Sequence, residues 1–405
     1  MIASDLDRVG GYAEQPAGTE LIAAAASLVP LLRKNAAQTE QDRRIVDENI
    51  TALQDAGMFK LSLPKRFGGY ELPWRTTLQV GAELARGDGS TSWAATLINV
   101  CGWLSGLYPE RAQQDIFAGH PDARVCGVLA PTATSRAADG GQIVTGRWGF
   151  ASGCLHAQWA VLGIPVVDAS GEHVDQGLAL FPMSDLTIAD TWHVAGMRGT
   201  GSNTLEAHEV FVPSYRIMSV PPAVTGEYPT EHHDEQLYRS AFVPVLAIVL
   251  TGPQVGLAWA ALEIVLDSLA KGRGISYTFY DKSRLAPTSQ LQVAAAAQLI
   301  DTAFLHLMRA ADDIDRAAAS GEYLDFLVRA RVRADVGTIA RNCREAVDLL
   351  LNVHGAGSFA EANPLQRIWR DLEVCGRHAV VNPEISAELY GRALLGVEEQ
   401  ITALI

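Results

Sequence analysis

The feature that most constrains the fold of this chain is a change of hydrophobic pattern near residues 120 and 228. Outside the middle segment, apolar residues recur at the three- and four-residue spacing of amphipathic helices. Inside it, short β-branched and aromatic runs alternate with Gly, Pro and Asp turns, which is typical of strands. The sequence therefore predicts a helical domain at 1–120, a β domain at 121–228 and a four-helix bundle at 229–405.

Five runs in the middle segment have the composition of strands, and such short strands predict a small antiparallel barrel or sandwich. They are 124–129, 142–150, 158–167, 177–181 and 203–212. Asp139-Gly140-Gly141 has the residue types of a tight hairpin turn. In the first domain, Gly89-Ser90-Thr91-Ser92 offers N-caps for a helix that carries Trp93 and Trp103.

The apolar stretch 241–262 is long enough to cross a membrane, but it contains Pro244, Gly252 and Pro253. We expect instead a helix that is buried at a domain or subunit core. Such a stretch is too apolar for the surface of a monomer, and it favours an oligomer.

Composition and charge exclude several classes of protein. Hydrophobic residues make up 48% of the 405 residues, which indicates a folded chain, and the net charge of −14 makes nucleic acid an unsuitable partner. The five cysteines are scattered without C-x-x-C spacing, as in a reduced cytoplasmic protein, and no metal site is indicated. The N-terminal residues 1–7 lack the features of a signal peptide, so we expect neither secretion nor a membrane.

Four segments carry a family resemblance that covers essentially the whole chain. They are Phe67-Gly68-Gly69, Trp148-Gly149-Phe150-Ala151-Ser152-Gly153-Cys154-Leu155-His156, Gly196-Met197-Arg198-Gly199-Thr200-Gly201-Ser202-Asn203, and Pro364-Leu365-Gln366-Arg367-Ile368-Trp369-Arg370-Asp371 leading to His378. With them the chain resembles the oxygenase components of two-component flavin-dependent monooxygenases, including 4-hydroxyphenylacetate-type and steroid-ring phenol hydroxylases. The resemblance implies an acyl-CoA dehydrogenase-like fold, mostly α with a central β domain. It also implies a homotetramer with dihedral symmetry.

The resemblance also implies the cofactors and a partner. Reduced FAD or FMN would come from a separate flavin reductase and react with O2 to a C4a-hydroperoxyflavin. The chain has no G-x-G-x-x-G that opens a helix after a strand, so NAD(P)H has no evident site of its own. The product would be a hydroxylated aromatic compound, with a phenolic, indolic or polyketide-like substrate.

The resemblance assigns site residues by position. Ser152 would bond near flavin N5 and slow the loss of hydrogen peroxide, because a hydroxyl there holds the N5 proton in a dry pocket. The remaining flavin contacts would be Trp148, Phe150, Ala151, Arg198, Thr200, Ser202, Arg273, Phe279, His354 and Gly355. An arginine common in the family falls at Ser276, with Arg273 as a displaced substitute, so the choice between FAD and FMN stays open.

His378 is the predicted catalytic residue, which would deprotonate or orient the substrate. Imidazole titrates near neutral pH and suits an acidic proton such as that of a phenol, whereas a dehydrogenase needs a carboxylate to take a proton from carbon. Trp93, Cys101 and Trp103 are the predicted substrate wall. Many relatives have a histidine just before this second tryptophan, and its absence argues against transferring any one relative's specificity. His156 is either catalytic or part of the turn.

Other functions remain open at this point. On the same fold, some relatives oxidise the nitrogen of amino sugars. A true acyl-CoA dehydrogenase would need a glutamate late in the chain, but Leu389-Tyr390-Gly391-Arg392 has none beside its glycine, and Glu384 and Glu388 are out of register. A helical scaffold without activity would not explain the aromatic-serine-glycine turn at 148–153.

Overall fold

A computed structural model of the protein describes residues 16–405, in which helices flank a central β unit. The N-terminal tract with no predicted secretion signal lies outside the described residues. The first helices are α1 (Pro16–Asp42), α2 (Asp47–Asp55), α3 (Trp74–Ala85), α4 (Gly89–Gly106) and α5 (Glu110–Phe117). The mostly α architecture with a central β region is confirmed, whereas the domain limits at 120 and 228 stay predictions.

Helix α4 is buried over nearly its whole length, and its start differs from the prediction. The N-cap is Asp88, whose carboxylate accepts hydrogen bonds from the Thr91 backbone N–H (2.8 Å) and hydroxyl (2.6 Å). Gly89, Ser90 and Thr91 are already helical. A carboxylate binds the unpaired N–H groups of a helix start at least as well as a serine hydroxyl, so the cap lies one residue earlier.

The strands form two four-stranded sheets within the described residues, in the orders β1-β4-β5-β8 and β2-β3-β7-β6. Their bounds are β1 (Val125–Val128), β2 (Ala133–Ala138), β3 (Gly141–Trp148), β4 (Trp159–Val167), β5 (His173–Pro182), β6 (Thr187–Ala189), β7 (Thr204–Pro213) and β8 (Ile217–Ser219). All pairings are antiparallel except that of β1 with β4. The arrangement is a sandwich, with an apolar core between its sheets.

Five strands correspond to the predicted ones, and three were missed. Strand β2 contains no large apolar or aromatic residue, and β6 and β8 have three residues each, too few for an alternation to be visible. The predicted hairpin is confirmed: Ala138 pairs with Gly141, so Asp139 and Gly140 make the turn between β2 and β3.

The C-terminal half is helical and is organised around one long helix. Its helices are α6 (Val220–Val224), α7 (Phe242–Ile248), α8 (Gly252–Ala270), α9 (Pro287–Ser320), α10 (Phe326–His354), α11 (Pro364–Cys375) and α12 (Pro383–Leu395). Helix α10 packs against α8, α9 and α12. Helix α8 also packs on α3 and α4, which joins the two helical parts.

The long apolar stretch forms α7 and the first part of α8. In the described part of the chain, two segments are apolar and long enough to cross a membrane by composition alone, Phe242–Ala270 and Pro287–Ser320. The most apolar window of the first is 89% buried within the protein, as expected of a core helix.

Candidate active site

Two loops meet where the sandwich contacts α4 and α11. The turn after β3 contains Phe150 and Gly153, both with positive φ (65° and 76°). It is joined to the loop before β7 by two backbone hydrogen bonds, from Ala151 N–H to the Asn203 oxygen (3.1 Å) and from Gly153 N–H to the Thr200 oxygen (3.0 Å). The tertiary structure thus brings together two motifs that are about fifty residues apart.

Three buried hydroxyls form a continuous hydrogen-bonded row at this junction. The Ser152 Oγ lies 2.6 Å from Ser202 Oγ, which lies 2.6 Å from Thr200 Oγ1. The Thr200 hydroxyl donates to the Met197 backbone oxygen (2.8 Å), and the Trp93 indole N–H donates to Ser152 Oγ (3.3 Å). Three predicted flavin contacts and one predicted wall residue are therefore in one network.

Helix α11 holds the second loop from the other side. Asp371 Oδ1 accepts a hydrogen bond from the Met197 backbone N–H at 2.5 Å, and the Arg370 side chain donates to the Ala195 oxygen. Helix α11 and this loop approach each other so closely that a Cβ on Gly196 would lie 2.2 Å from the Arg370 backbone oxygen. Only glycine therefore fits at position 196. Burial, aided by the nearby Asp88 carboxyl, raises the pKa of Asp371 to about 7.

His378 follows α11, and its ring centroid lies 6.2 Å from that of Trp93. Its Nδ1 accepts a hydrogen bond from the Val380 backbone N–H (3.3 Å), which fixes the neutral tautomer with the proton on Nε2. Surrounding protein and the Arg333 charge lower the pKa of His378 to about 4. The residue is nevertheless exposed to solvent, and at neutral pH its imidazole is uncharged.

The other residues of the aromatic turn have different surroundings. Trp148 is fully buried in the sandwich core and donates its indole N–H to the Gly163 oxygen (2.8 Å). Phe150 is 73% exposed and packs edge-on against Trp192, with ring centroids 5.6 Å apart. Ala151 is buried behind this ring. An exposed, braced phenylalanine beside a buried serine offers a flat apolar surface.

The predicted wall residues of α4 divide into two groups. Trp93 contacts both Ser152 and His378, as described above. Cys101 lies in the core against Gly127, and burial raises the pKa of its thiol to about 12. Trp103 is fully buried, packs edge-on against Trp74 and donates to the Leu237 oxygen (3.0 Å). The structure brings only Trp93 to the hydroxyl row, and the substrate role of the other two stays a prediction.

Arg198 is part of the loop scaffold. Its guanidinium donates to the backbone oxygens of Glu40 on α1 and of Val194, each at 3.3 Å. The Glu40 carboxylate in turn pairs with Arg370 at 2.5 Å. These contacts fasten the glycine-rich loop to both α1 and α11.

A second cluster contains the remaining predicted flavin contacts. Arg273 and His354 both approach Gly357, and an ideal Cβ there would lie 4.0 Å from the Arg273 Nη1 and 3.9 Å from the His354 Cε1. Gly355 ends α10 with a φ of 82°, and Phe279 projects fully into solvent. Within residues 16–405, the buried His354 Nδ1 has no hydrogen-bond partner. A guanidinium, an unpaired imidazole nitrogen and open glycine backbone suit an anionic group such as a phosphate.

His156 lies at the end of the first loop and is buried. Its backbone oxygen accepts from Arg124 Nε (2.6 Å), whereas its Nε2 lacks a partner in the part of the chain that the structure describes. Burial, together with the charges of Arg44 and Arg124, lowers its pKa to about 4. These contacts favour a structural role over catalysis.

Sequence reasoning did not assign roles to Asp371, Met197, Trp192 or Asn203, which organise the second loop. Asn203 Oδ1 accepts from the backbone N–H groups of Thr191 and Trp192, both at 3.0 Å. The Arg370-Asp371 pair was visible as a motif, but its target is a backbone group far along the chain. In residues 16–405 no group of three metal-ligating side chains occurs, and the prediction of no metal stays a prediction.

Comparison with known proteins agrees with this geometry. Residues 23–117 match the family model described as "Acyl-CoA dehydrogenase, N-terminal domain", and residues 248–383 match the corresponding C-terminal domain. Fold and site therefore define a flavoprotein-type scaffold of the acyl-CoA dehydrogenase fold, and the fold prediction is confirmed.

More specific relatives are found over nearly the full length. The chain is 33% identical over 373 residues to "Flavin-dependent monooxygenase, oxygenase subunit HsaA" of Rhodococcus jostii (92% of this chain, 97% of the relative). It is 35% identical to the "FADH(2)-dependent resorcinol hydroxylase, oxygenase component" of a Rhizobium species (96% and 98%). The solved structure "XiaF from Streptomyces sp. in complex with FADH2 and Glycerol" superposes with a TM-score of 0.90 at 32% identity, covering 99% of each chain.

The chain thus belongs to the family of oxygenase components of flavin-dependent monooxygenases. The resemblance and the prediction of an enzyme are confirmed. The acyl-CoA dehydrogenase and amino-sugar alternatives are less well supported. A solved structure whose title names a bound amino sugar, "X-ray Structure of a KijD3 in Complex with FMN and dTDP-3-amino-2,3,6-trideoxy-4-keto-3-methyl-D-glucose", is 19% identical and shows a shared fold alone.

Proposed function

We propose that this protein hydroxylates a small aromatic substrate with reduced flavin and O2. The observation that carries the proposal is that Trp93 contacts both Ser152 (3.3 Å) and His378 (6.2 Å between ring centroids). A group bonded at Ser152 and a substrate bonded at His378 would both lie against this indole. Relatives named as resorcinol, p-hydroxyphenylacetate and indole-3-acetate oxygenases support an aromatic substrate.

The residues at the junction fit a flavin ring. Among the described residues Ser152 Oγ has two partners, which leaves one lone pair to bind a flavin N–H. The exposed Phe150 ring offers an apolar face to a flat group. When bound, reduced flavin would supply the activation of O2, and the chain would hold the ring, keep water away from it and orient the substrate.

His378 would orient the substrate as a hydrogen-bond donor. Its Nδ1 is engaged by Val380, so the nitrogen that can reach a ligand is Nε2, which carries the proton. A neutral imidazole with a lowered pKa is a weak base but a good donor toward a phenolic oxygen. Of the two roles that the sequence suggested, deprotonation and orientation, the second is favoured.

We also propose where the reduced flavin comes from, which flavin is bound and how the chains assemble. Relatives are called oxygenase subunits or components, which supports a separate flavin reductase. FADH2 in two relatives' names supports reduced FAD over FMN, with Arg273 and His354 as candidates for phosphate binding. The fully exposed Tyr277 and Phe279 support a homotetramer in which such aromatic groups are covered. The scattered cysteines without C-x-x-C spacing support a cytoplasmic location.

The test is to mix the purified chain with reduced FAD, O2 and a panel of phenols, indoles and amino sugars. We expect an oxygen atom from 18O2 in a phenolic or indolic product, and no NADH consumption by the chain with oxidised flavin alone. Oxidation of acyl-CoA thioesters with oxidised flavin, or NADH turnover without a reductase, would contradict the proposal.

A further inference from the structure

The hydrogen-bonded row at Ser152 has two ends whose roles are fixed by chemistry. At one end the Trp93 indole N–H can only donate, and at the other the Met197 carbonyl oxygen can only accept. Between them lie the hydroxyls of Ser152, Ser202 and Thr200, each of which has one proton. The direction of every bond in the row therefore follows from its ends.

Thr200 must donate its proton to Met197, which leaves its oxygen to accept from Ser202. Ser202 has then used its proton, so Ser152 must donate to Ser202 over the 2.6 Å contact. Ser152 accepts from Trp93, and its remaining lone pair is the only hydrogen-bonding capacity it can offer to a ligand. All three hydroxyls are buried, so water does not readily reverse the order.

We propose that Ser202 and Thr200, through this one-way row, hold Ser152 as an acceptor toward flavin N5 and so set the preference of the site for reduced over oxidised flavin. The inference rests on the proposed function. In reduced flavin N5 carries a hydrogen and can donate to Ser152, whereas in oxidised flavin N5 offers a lone pair. Two acceptors would then face each other in a buried site, and an unpaired polar group there is costly. Ser202 and Thr200 are positioning residues, which act through Ser152.

The selectivity can be measured as the ratio of two dissociation constants, for oxidised and for reduced FAD, by anaerobic equilibrium dialysis without substrate. We expect the native protein to bind reduced FAD at least about tenfold more tightly. In Ser202→Ala the Ser152 proton loses its acceptor and can turn toward oxidised N5. The ratio should fall about tenfold, which lowers the potential of bound flavin by about 30 mV for a two-electron couple.

Two further variants separate the effect of the Thr200 hydroxyl from the effect of side-chain packing at this position. Thr200→Val removes the acceptor for Ser202, so that Ser202 can donate to Ser152, and the ratio should fall as in Ser202→Ala. Thr200→Ser keeps the hydroxyl, and its ratio should stay within about twofold of the native value. Thr200→Val also carries the test if Ser202→Ala does not fold, as judged by circular dichroism.

The outcomes distinguish this inference from the function on which it rests. Equal affinity of the native chain for both forms of FAD, or an unchanged ratio in both Ser202→Ala and Thr200→Val, overturns the selectivity, while product formation leaves the hydroxylase function intact. A native chain that binds neither form of FAD nor of FMN overturns both. A ratio that falls in the two variants and is kept in Thr200→Ser supports the inference.

Discussion

Asp371 and Met197 are 174 positions apart in the chain, yet the carboxylate of one accepts the backbone N–H of the other at 2.5 Å. Met197 has a φ of 55°, a conformation that is uncommon for a residue with a side chain. The same residue's carbonyl oxygen ends the hydroxyl row that begins at Trp93. Helix α11 therefore fixes the loop from which that row is built.

Loss of this contact should destabilise the protein. In Asp371→Leu the buried Met197 N–H has no acceptor, and the free energy of unfolding should fall by about 1–3 kcal/mol. Asp371→Asn keeps an acceptor oxygen and should lose less. Chemical denaturation at neutral pH measures both, and equal losses in the two variants would show that the hydrogen bond to Met197 is unimportant.

Asp371 should also leave a signature in the pH dependence of stability. Its pKa is raised from 3.8 to about 7, so between these values the folded state binds more protons than the unfolded state. The contribution is fully present below pH 3.8 and is lost as the pH rises through about 7. The stability difference between the native protein and Asp371→Asn should therefore shift against the native protein over this window, as followed by thermal unfolding at stepped pH.

His156 should act in the opposite direction. Its pKa falls from 6.5 to about 4 on folding, so the unfolded state binds more protons between these values. Stability is lost as the pH drops from about 6.5 to about 4, by at most about 3 kcal/mol. His156→Gln should reduce this acid sensitivity, whereas replacement of the exposed His173 by Gln should not. Identical pH profiles for the native protein and His156→Gln would refute the assignment.

Ser152→Ala should separate binding of flavin from its productive use. The change removes one hydroxyl and leaves the turn, so the fold should persist. Without that oxygen, the fraction of reduced flavin that is lost as hydrogen peroxide should rise several-fold, as measured with a peroxide-specific assay alongside product yield. Ser320→Ala, which removes an exposed hydroxyl at the end of α9, is the control. Unchanged peroxide yield in Ser152→Ala would make Ser152 a purely structural residue.

Two variants can show whether His378 acts as a hydrogen-bond donor or as a base. His378→Ala should still allow reoxidation of bound flavin by O2, but product yield should fall on the order of a hundredfold. Glutamine can place an N–H near the position of Nε2 without titrating, so His378→Gln should recover part of the yield if donation is the role. If His378→Ala gives a normal product yield only with substrates that are already deprotonated, and His378→Gln recovers no yield, the role of His378 as a base is restored. The comparison needs product analysis at fixed neutral pH.

Much of this molecule was determined by its sequence. The helix–strand–helix order, the Asp139-Gly140 turn and the buried apolar helix follow from local periodicity and turn chemistry, which act over a few residues. The motifs around Ser152, Thr200 and His378 indicated the candidate site through the family resemblance that they carry. Short strands such as β6 and β8 were missed because three residues carry too little pattern.

Only the tertiary structure decided how those residues act. The direction of the hydroxyl row depends on a Trp93 donor from one helix and a Met197 acceptor from a distant loop, and neither pairing has a fixed spacing in the sequence. Trp103 has the same residue type as Trp93 and lies on the same helix, yet its indole bonds Leu237 in the core. Likewise, Val380 binds the His378 Nδ1, which leaves the protonated Nε2 as the ring nitrogen that can reach a ligand. Such roles depend on the partner each polar atom finds after the chain has folded.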